Sequence, residues 1–133
     1  MGNEGRKIVF AADTGGHTFG YQTVARGLRD AGFEVVMTGN SRPKQAVEVA
    51  LQEDADLIAY RIMDRDPVAL VRTLSEAMTE AGLDGVPILL GGIINKQDLG
   101  TLEAFGVRAI FTPGSKLTDI TERAAKLCQE GSS

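Results

Sequence analysis

Cysteine and histidine are each present once, as Cys128 and His17. A single cysteine excludes any disulfide within the chain and any cysteine-based metal cluster. It suits a reducing cytoplasm, and Cys128 itself is expected to be a partly buried helix residue. Basic charge is also scarce. Lys and Arg number 14 against 18 Asp and Glu, a formal net charge of -4, so there is no basic footprint for a nucleic-acid backbone. The local basic groups, Arg6–Lys7, Arg61 and Arg65, are mixed with acids. No apolar run is long enough to span a bilayer. Residues 1–7 are polar, and the apolar stretch after them is too short for a signal peptide. What remains is 133 residues, 43% of them hydrophobic, enough for the core of one ordinary domain and against disorder.

Apolar runs alternate with helix-like stretches along the chain. Residues 7–12 (KIVFAA), 33–38 (FEVVMT), 56–63 (DLIAYRIM), 86–90 (VPILL) and 107–112 (VRAIFT) read as five short buried strands. Between the first two, Tyr21, Val24, Ala25, Leu28 and Ala31 recur at the spacing of an amphipathic helix, which Gly32 ends. A second helix is expected from Ser41 and Pro43 to about Asp54, and a third from Asp66–Pro67 to near Gly82. A fourth is expected after a cap at Asn95, and a last one from Ser115 or Thr118. The ends, residues 1–5 and 131–133, read as loose termini. Five continuously apolar strands alternating with helices predict an α/β fold with a parallel sheet covered on both faces. Five strands suggest the flavodoxin-like, doubly wound order 2-1-3-4-5. In that order a ligand sits beyond the carboxyl ends of the strands, between the first and third. The loops to read are therefore 13–20 and 64–66, flanked by 91–95 and 113–115.

The loop after the first strand is DTGGHTFG, with three glycines (Gly15, Gly16, Gly20) that allow close approach of a large ligand. His17 lies among them, and a neutral imidazole is a strong ligand for a transition metal. The residues alone leave open a solvent-facing histidine. A nucleotide loop is not supported, because neither G-x-G-x-x-G nor a phosphate-loop Lys-Ser/Thr is present.

Several stretches, taken together and in order, resemble one family. They are GGHTFG (15–20), VARGLRDAGFEVVMTG (24–39), ALQEDAD (50–56), LLGGIIN (89–95) and FTPGS (111–115). The chain is similar over roughly residues 7–127 to the cobalamin-binding domain or small subunit of the methylmalonyl-CoA mutases. The resemblance implies one cobalamin-binding domain over 1–133, with an ordered core of about 6–128. It implies that His17 replaces the cofactor's own dimethylbenzimidazole as lower axial cobalt ligand. The displaced nucleotide tail would run between the first helix and the sheet, with Gly91 and Gly92 leaving room and Pro113, Gly114 and Ser115 near its end. Gly15, Gly16, Thr18, Phe19, Gly20, Arg61 and Met63 complete the expected cofactor-binding set. A larger subunit would hold the acyl-CoA, and adenosylcobalamin would start a radical isomerisation, chemistry that belongs to the cofactor. This chain alone would not be a complete enzyme, and neither nucleic acid nor membrane is expected as a partner.

Two positions depart from the family pattern. Gly15 stands where the family has an Asp that orients the histidine; Asp13, Asp64 and Asp66 are the candidates to replace it. Arg61 stands where the family has a serine that contacts the nucleotide. It would either crowd the tail slot or bind a phosphate there. Phe19 and Tyr60 add bulk nearby, Tyr60 alternatively as core. A diverged module that binds haem or a partner protein in the same cleft is the alternative reading. A flavin-binding or phosphate-switch protein is a third, disfavoured by the lack of an acidic phosphoacceptor cluster.

Overall fold

The computed structural model describes residues 3–131. Its elements alternate: β1 (Lys7–Ala12), α1 (Phe19–Asp30), β2 (Glu34–Asn40), α2 (Pro43–Glu53), β3 (Leu57–Ile62), α3 (Pro67–Glu80), β4 (Ile88–Gly92), a 3-10 turn (Lys96–Asp98), α4 (Leu99–Ala104), β5 (Val107–Phe111) and α5 (Leu117–Gly131). The five strands form one parallel sheet in the order β2-β1-β3-β4-β5, as the sequence predicts.

Because side chains alternate along a strand, the sheet sorts its residues into two cores. Val9, Ala11, Ile58, Tyr60, Ile62, Ile88 and Leu90 pack against α2, α3 and α4 through Ala46, Val47, Leu70, Val71, Leu74 and Leu102. Ile8, Phe10, Ala12, Leu57, Ala59 and Leu89 pack against α1 and α5 through Tyr21, Ala25, Leu28, Ala124, Leu127 and Cys128.

Helix starts follow side-chain chemistry. Thr18 caps α1, its hydroxyl accepting from the Tyr21 N–H, and Asp66 caps α3 by accepting from Val68. Ser41 is not the cap of α2. Arg42 holds that position, its N–H donating to the Gln45 side chain, while the Ser41 hydroxyl donates to Thr38 and Gly39 carbonyls. After β4, Asn95 precedes the 3-10 turn rather than a regular helix, and α4 is only 6 residues long.

One boundary matters for function. The fourth strand was expected over 86–90, but β4 runs from Ile88 to Gly92. Gly91 and Gly92 pair with Arg61 and Ile62 inside the sheet, so they are strand residues and not a turn after it. The reason is close packing at Gly92, whose φ is 150° and where a side-chain carbon would stand 2.2 Å from the Ile62 carbonyl oxygen. Only glycine lets the two backbones meet there.

Candidate functional site

The register aligns one row of residues across the carboxyl end of the sheet: Ala12 beside Arg61, Arg61 beside Gly91, and Gly91 beside Phe111. All face α1 and α5. Ala12 and Gly91 carry almost no side chain, so the sheet floor dips on both sides of Arg61. Above this dip lies a cavity of about 300 Å³, at the small end of the range for ligand pockets. Gly20 and Val24 of α1 wall one side, and Ile120 of α5 with the 112–115 loop walls the other. Of the expected residues, Gly20, Arg61, Met63, Gly91, Gly92, Pro113, Gly114 and Ser115 all line it. Thr112, within the expected 111–115 loop, lines it as well, and so do Phe10, Val24, Leu89 and Ile120, which the sequence reading did not single out for the site. Apolar residues at helical or strand spacing read as core, and only the register reveals that they border a void.

Gly15, Gly16, His17, Thr18 and Phe19 do not line this cavity. They form the loop at its α1 edge, each with a local role. Gly15 has φ 67°, and its carbonyl accepts from both the N–H and the hydroxyl of Thr18. Gly16 donates to the Asn40 side chain at 2.7 Å, and a side-chain carbon there would lie 2.6 Å from the β2 backbone. These contacts press the loop onto the end of β2 and leave the exposed His17 at its crest. The His17 carbonyl accepts from Gln22. Its imidazole has no hydrogen-bond or ion-pair partner among the described residues, so its nitrogens are available to a ligand. Phe19 is 84% exposed beside it.

The proposed substitutes for the missing carboxylate are engaged elsewhere. Asp13 accepts from the N–H groups of Met63, Asp64 and Arg65 at 2.8–2.9 Å. Partial burial pushes its carboxyl up, but those three N–H groups and that of Thr14 outweigh it, and the pKa lies below the usual 3.8. Asp13 thus ties the His17 loop to the β3–α3 loop instead of orienting the imidazole. Asp66 is the α3 cap. The Asp64 carboxylate makes no hydrogen bond or ion pair to His17 among the described residues.

Tyr60 belongs to the opposite core, 1% exposed, with its hydroxyl donating to the Ser41 carbonyl. Burial, then the nearby Asp13 charge, pushes that phenol up to about 12, against a smaller opposite effect of Arg65. Cys128 is buried rather than partly buried, at 2% exposure. Burial and Asp56 raise its thiol to about 11 against the opposing Arg6, which leaves it protonated and unreactive at neutral pH.

The two departures from the family pattern meet in space. A side-chain carbon on Gly15 would stand 2.9 Å from Nη1 of Arg61. A side chain at position 15 would therefore move the flexible end of Arg61, and an aspartate there would stand within reach of its guanidinium.

The B12 binding domain family matches residues 5–119. The chain belongs to that family. It is 35% identical over 129 residues to the pivalyl-CoA mutase small subunit of Xanthobacter autotrophicus, covering 94% of this chain and 84% of that one. It is 30% identical to the 2-hydroxyisobutanoyl-CoA mutase small subunit of Aquincola tertiaricarbonis, covering 86% and 87%. Against the ethylmalonyl-CoA mutase of Methylorubrum extorquens the identity is 35%, but the chain spans only 17% of that protein's length. Among solved structures, a cobalamin-binding protein from Desulfitobacterium hafniense superposes with a TM-score of 0.67 at 19% identity, over 95% of this chain and 58% of that one. The chemotaxis protein CheY4 of Vibrio cholerae gives 0.72 at 16%, over 92% and 98%. At such identities these two likenesses speak for the fold alone.

A B12 binding domain must accommodate a macrocycle and, where the lower ligand is displaced, a nucleotide arm. The residues present fit that demand. Gly91 opens the floor, since a side-chain carbon there would meet nothing closer than 3.9 Å, and larger residues would fill the space. Among the described residues no three His, Cys, Asp or Glu side chains could together hold a metal ion. The exposed His17 imidazole offers one donor, which is what a metal already held by a macrocycle asks of a protein. No helix among the described residues is long and apolar enough to cross a membrane.

Proposed function

We propose that the whole chain, residues 1–133, acts as the cobalamin-binding small subunit of an adenosylcobalamin-dependent acyl-CoA mutase, an isomerase completed by a larger acyl-CoA-binding subunit. The observation that carries this reading is the joint placement of an exposed, unengaged His17 and a glycine-floored cavity at the same carboxyl edge of the sheet. The similarity to two mutase small subunits over most of their length supports it. His17 would hold the cobalt through its imidazole, the one exposed and unengaged metal-ligating nitrogen group of the loop among the described residues. When bound, the cofactor supplies radical chemistry through homolysis of its cobalt–carbon bond.

The protein's part is ligation and placement. The 13–18 loop presents the imidazole. Asp13 keeps that loop fixed to the β3–α3 loop. The cavity receives the nucleotide arm, with Gly91 beneath it and Thr112 to Ser115 at its end. Met63, 46% exposed, lines the cavity, and Phe19 in the His17 loop and Ile93 just after Gly92, 84% and 74% exposed, offer apolar surface that fits the hydrocarbon face of a corrin or the partner subunit. The free Cys128 fits a reducing, cytoplasmic setting. The haem alternative draws no support from a match to a B12-binding family.

The test is an absorbance titration of the full chain with cobalamin. Binding with the spectrum of a displaced base and a histidine ligand is expected, and His17→Ala should remove that signature. An absence of binding at micromolar cofactor would overturn the reading.

A further inference from the structure

Among the described residues, Arg61 is the only charged one lining the cavity. It is half-buried, and its guanidinium has no hydrogen-bond or ion-pair partner among the described residues. The other polar side chains on the walls, among the described residues, are the hydroxyls of Thr112 and Ser115, since the Tyr60 side chain lies in the opposite core. No acid contributes to the lining. Asp13, whose N–H donates to the Arg61 carbonyl, has its carboxylate committed to three backbone N–H groups. Position 15, from which a side chain would reach Nη1, is glycine.

A guanidinium held at an apolar cavity without a counter-charge leaves an electrostatic vacancy that an anion fills well. Its planar fork suits two oxygens of one phosphate. With glycine at position 15, no carboxylate from that position reaches the fork.

We propose that Arg61 is a specificity residue that binds the phosphodiester of the corrinoid's nucleotide arm, so that this subunit selects corrinoids by their phosphate. The inference rests on the cobalamin reading above. It differs from an obstructing role for the same residue, which would give the opposite sign on removal.

The experiment compares wild type, Arg61→Ser, Arg61→Gln and Arg61→Lys by absorbance titration, at low and high salt. The probes are cobalamin, cobinamide (which lacks the phosphate and nucleotide) and inorganic phosphate as a competitor. Loss of a charged hydrogen bond should weaken cobalamin about tenfold in Arg61→Ser and Arg61→Gln. Cobinamide affinity should stay within about twofold in the same variants. Arg61→Lys should recover part of the loss, and rising salt should erode wild-type binding more than that of Arg61→Ser. Competition by inorganic phosphate against cobalamin but not cobinamide would add support, by marking the shared phosphate chemistry. Thermal unfolding of each variant checks that the fold is kept; if Arg61→Ser is unfolded, Arg61→Gln decides.

Wild-type binding of cobalamin with equal or tighter binding in Arg61→Ser would overturn the inference and leave the parent reading standing. Wild-type binding of neither corrinoid would overturn both.

Discussion

The two faces of the sheet are built from the same strands but end differently. On the face toward α2, α3 and α4, β3 keeps large side chains to the carboxyl edge, Tyr60 and then Ile62; β1 ends there on Ala11 and β4 on Gly92, whose side-chain place is taken by the β3 backbone. On the face toward α1 and α5 they shrink: Leu89 is followed by Gly91, Phe10 by Ala12, and Ala59 by Arg61, which leaves the apolar core altogether. The first face closes; the second opens into the cavity. Close packing cannot be maintained where side-chain volume runs out, so a void forms between α1, α5 and the strand ends. A binding site thus needs no special element, only a local loss of volume on one side of a sheet.

Neighbouring glycines give the sharpest way to break this contrast. Gly92→Ala places a carbon against the Ile62 carbonyl at a φ of 150°, and should cost about 3 kcal/mol or more in denaturant unfolding. Gly91→Leu starts from a side-chain carbon in ordinary contact with the Phe111 carbonyl oxygen at 3.9 Å and projects into the cavity. It should leave the unfolding free energy within about 1 kcal/mol of wild type yet abolish cobalamin binding in the titration above. If Gly91→Leu unfolds the chain instead, the two faces are not distinct in the way described.

Truncations in the two cores form the next comparison. Leu74→Ala removes a side chain with 0% exposure from the closed face and should cost about 2–5 kcal/mol. Val24→Ala borders the cavity and is half-buried, so about 1 kcal/mol is expected. Equal losses in equilibrium unfolding would argue that the cavity wall is as tightly packed as the core.

Acid offers a smaller and more local probe. Asp13 has a lowered pKa in the folded state. Its contribution is therefore complete above the ordinary carboxylate range and is lost as the pH falls through the depressed value. Asp13→Asn should be less stable than wild type at neutral pH, with the gap narrowing in strong acid. A gap independent of pH would show that shape rather than charge holds the two loops together.

The smallest effect is expected at Cys128. With its thiol raised to about 11 by burial and Asp56, native protein should resist alkylation at neutral pH and react only when unfolded. Rapid native labelling would mean that the α5 face opens.

Much of the fold was legible because strand and helix periods leave distinct marks. LIAYRI on β3 and VALVRTLSEAM on α3 announce their elements by spacing alone. The boundary at β4 was not, since GG reads as a turn until the backbone of β3 is seen to lie against it. The candidate site divides in the same manner. The GGHTFG loop and the GG and PGS segments stand out as local motifs. Val24, Leu89 and Ile120 carry only the signature of core residues, and their place at the cavity depends on register and helix packing.

The sequence by itself determined the order of elements, the parallel doubly wound sheet, the position of His17 at the switch point and the family. These follow from local periodicity and from motifs whose meaning survives without coordinates. Tertiary structure decided that Asp13 serves the loops and not the imidazole, that Tyr60 lies in the opposite core, and that Gly15 and Arg61 answer one another. Each of those depends on which groups meet across the sheet, and contacts between residues far apart in the chain leave no periodic trace in it.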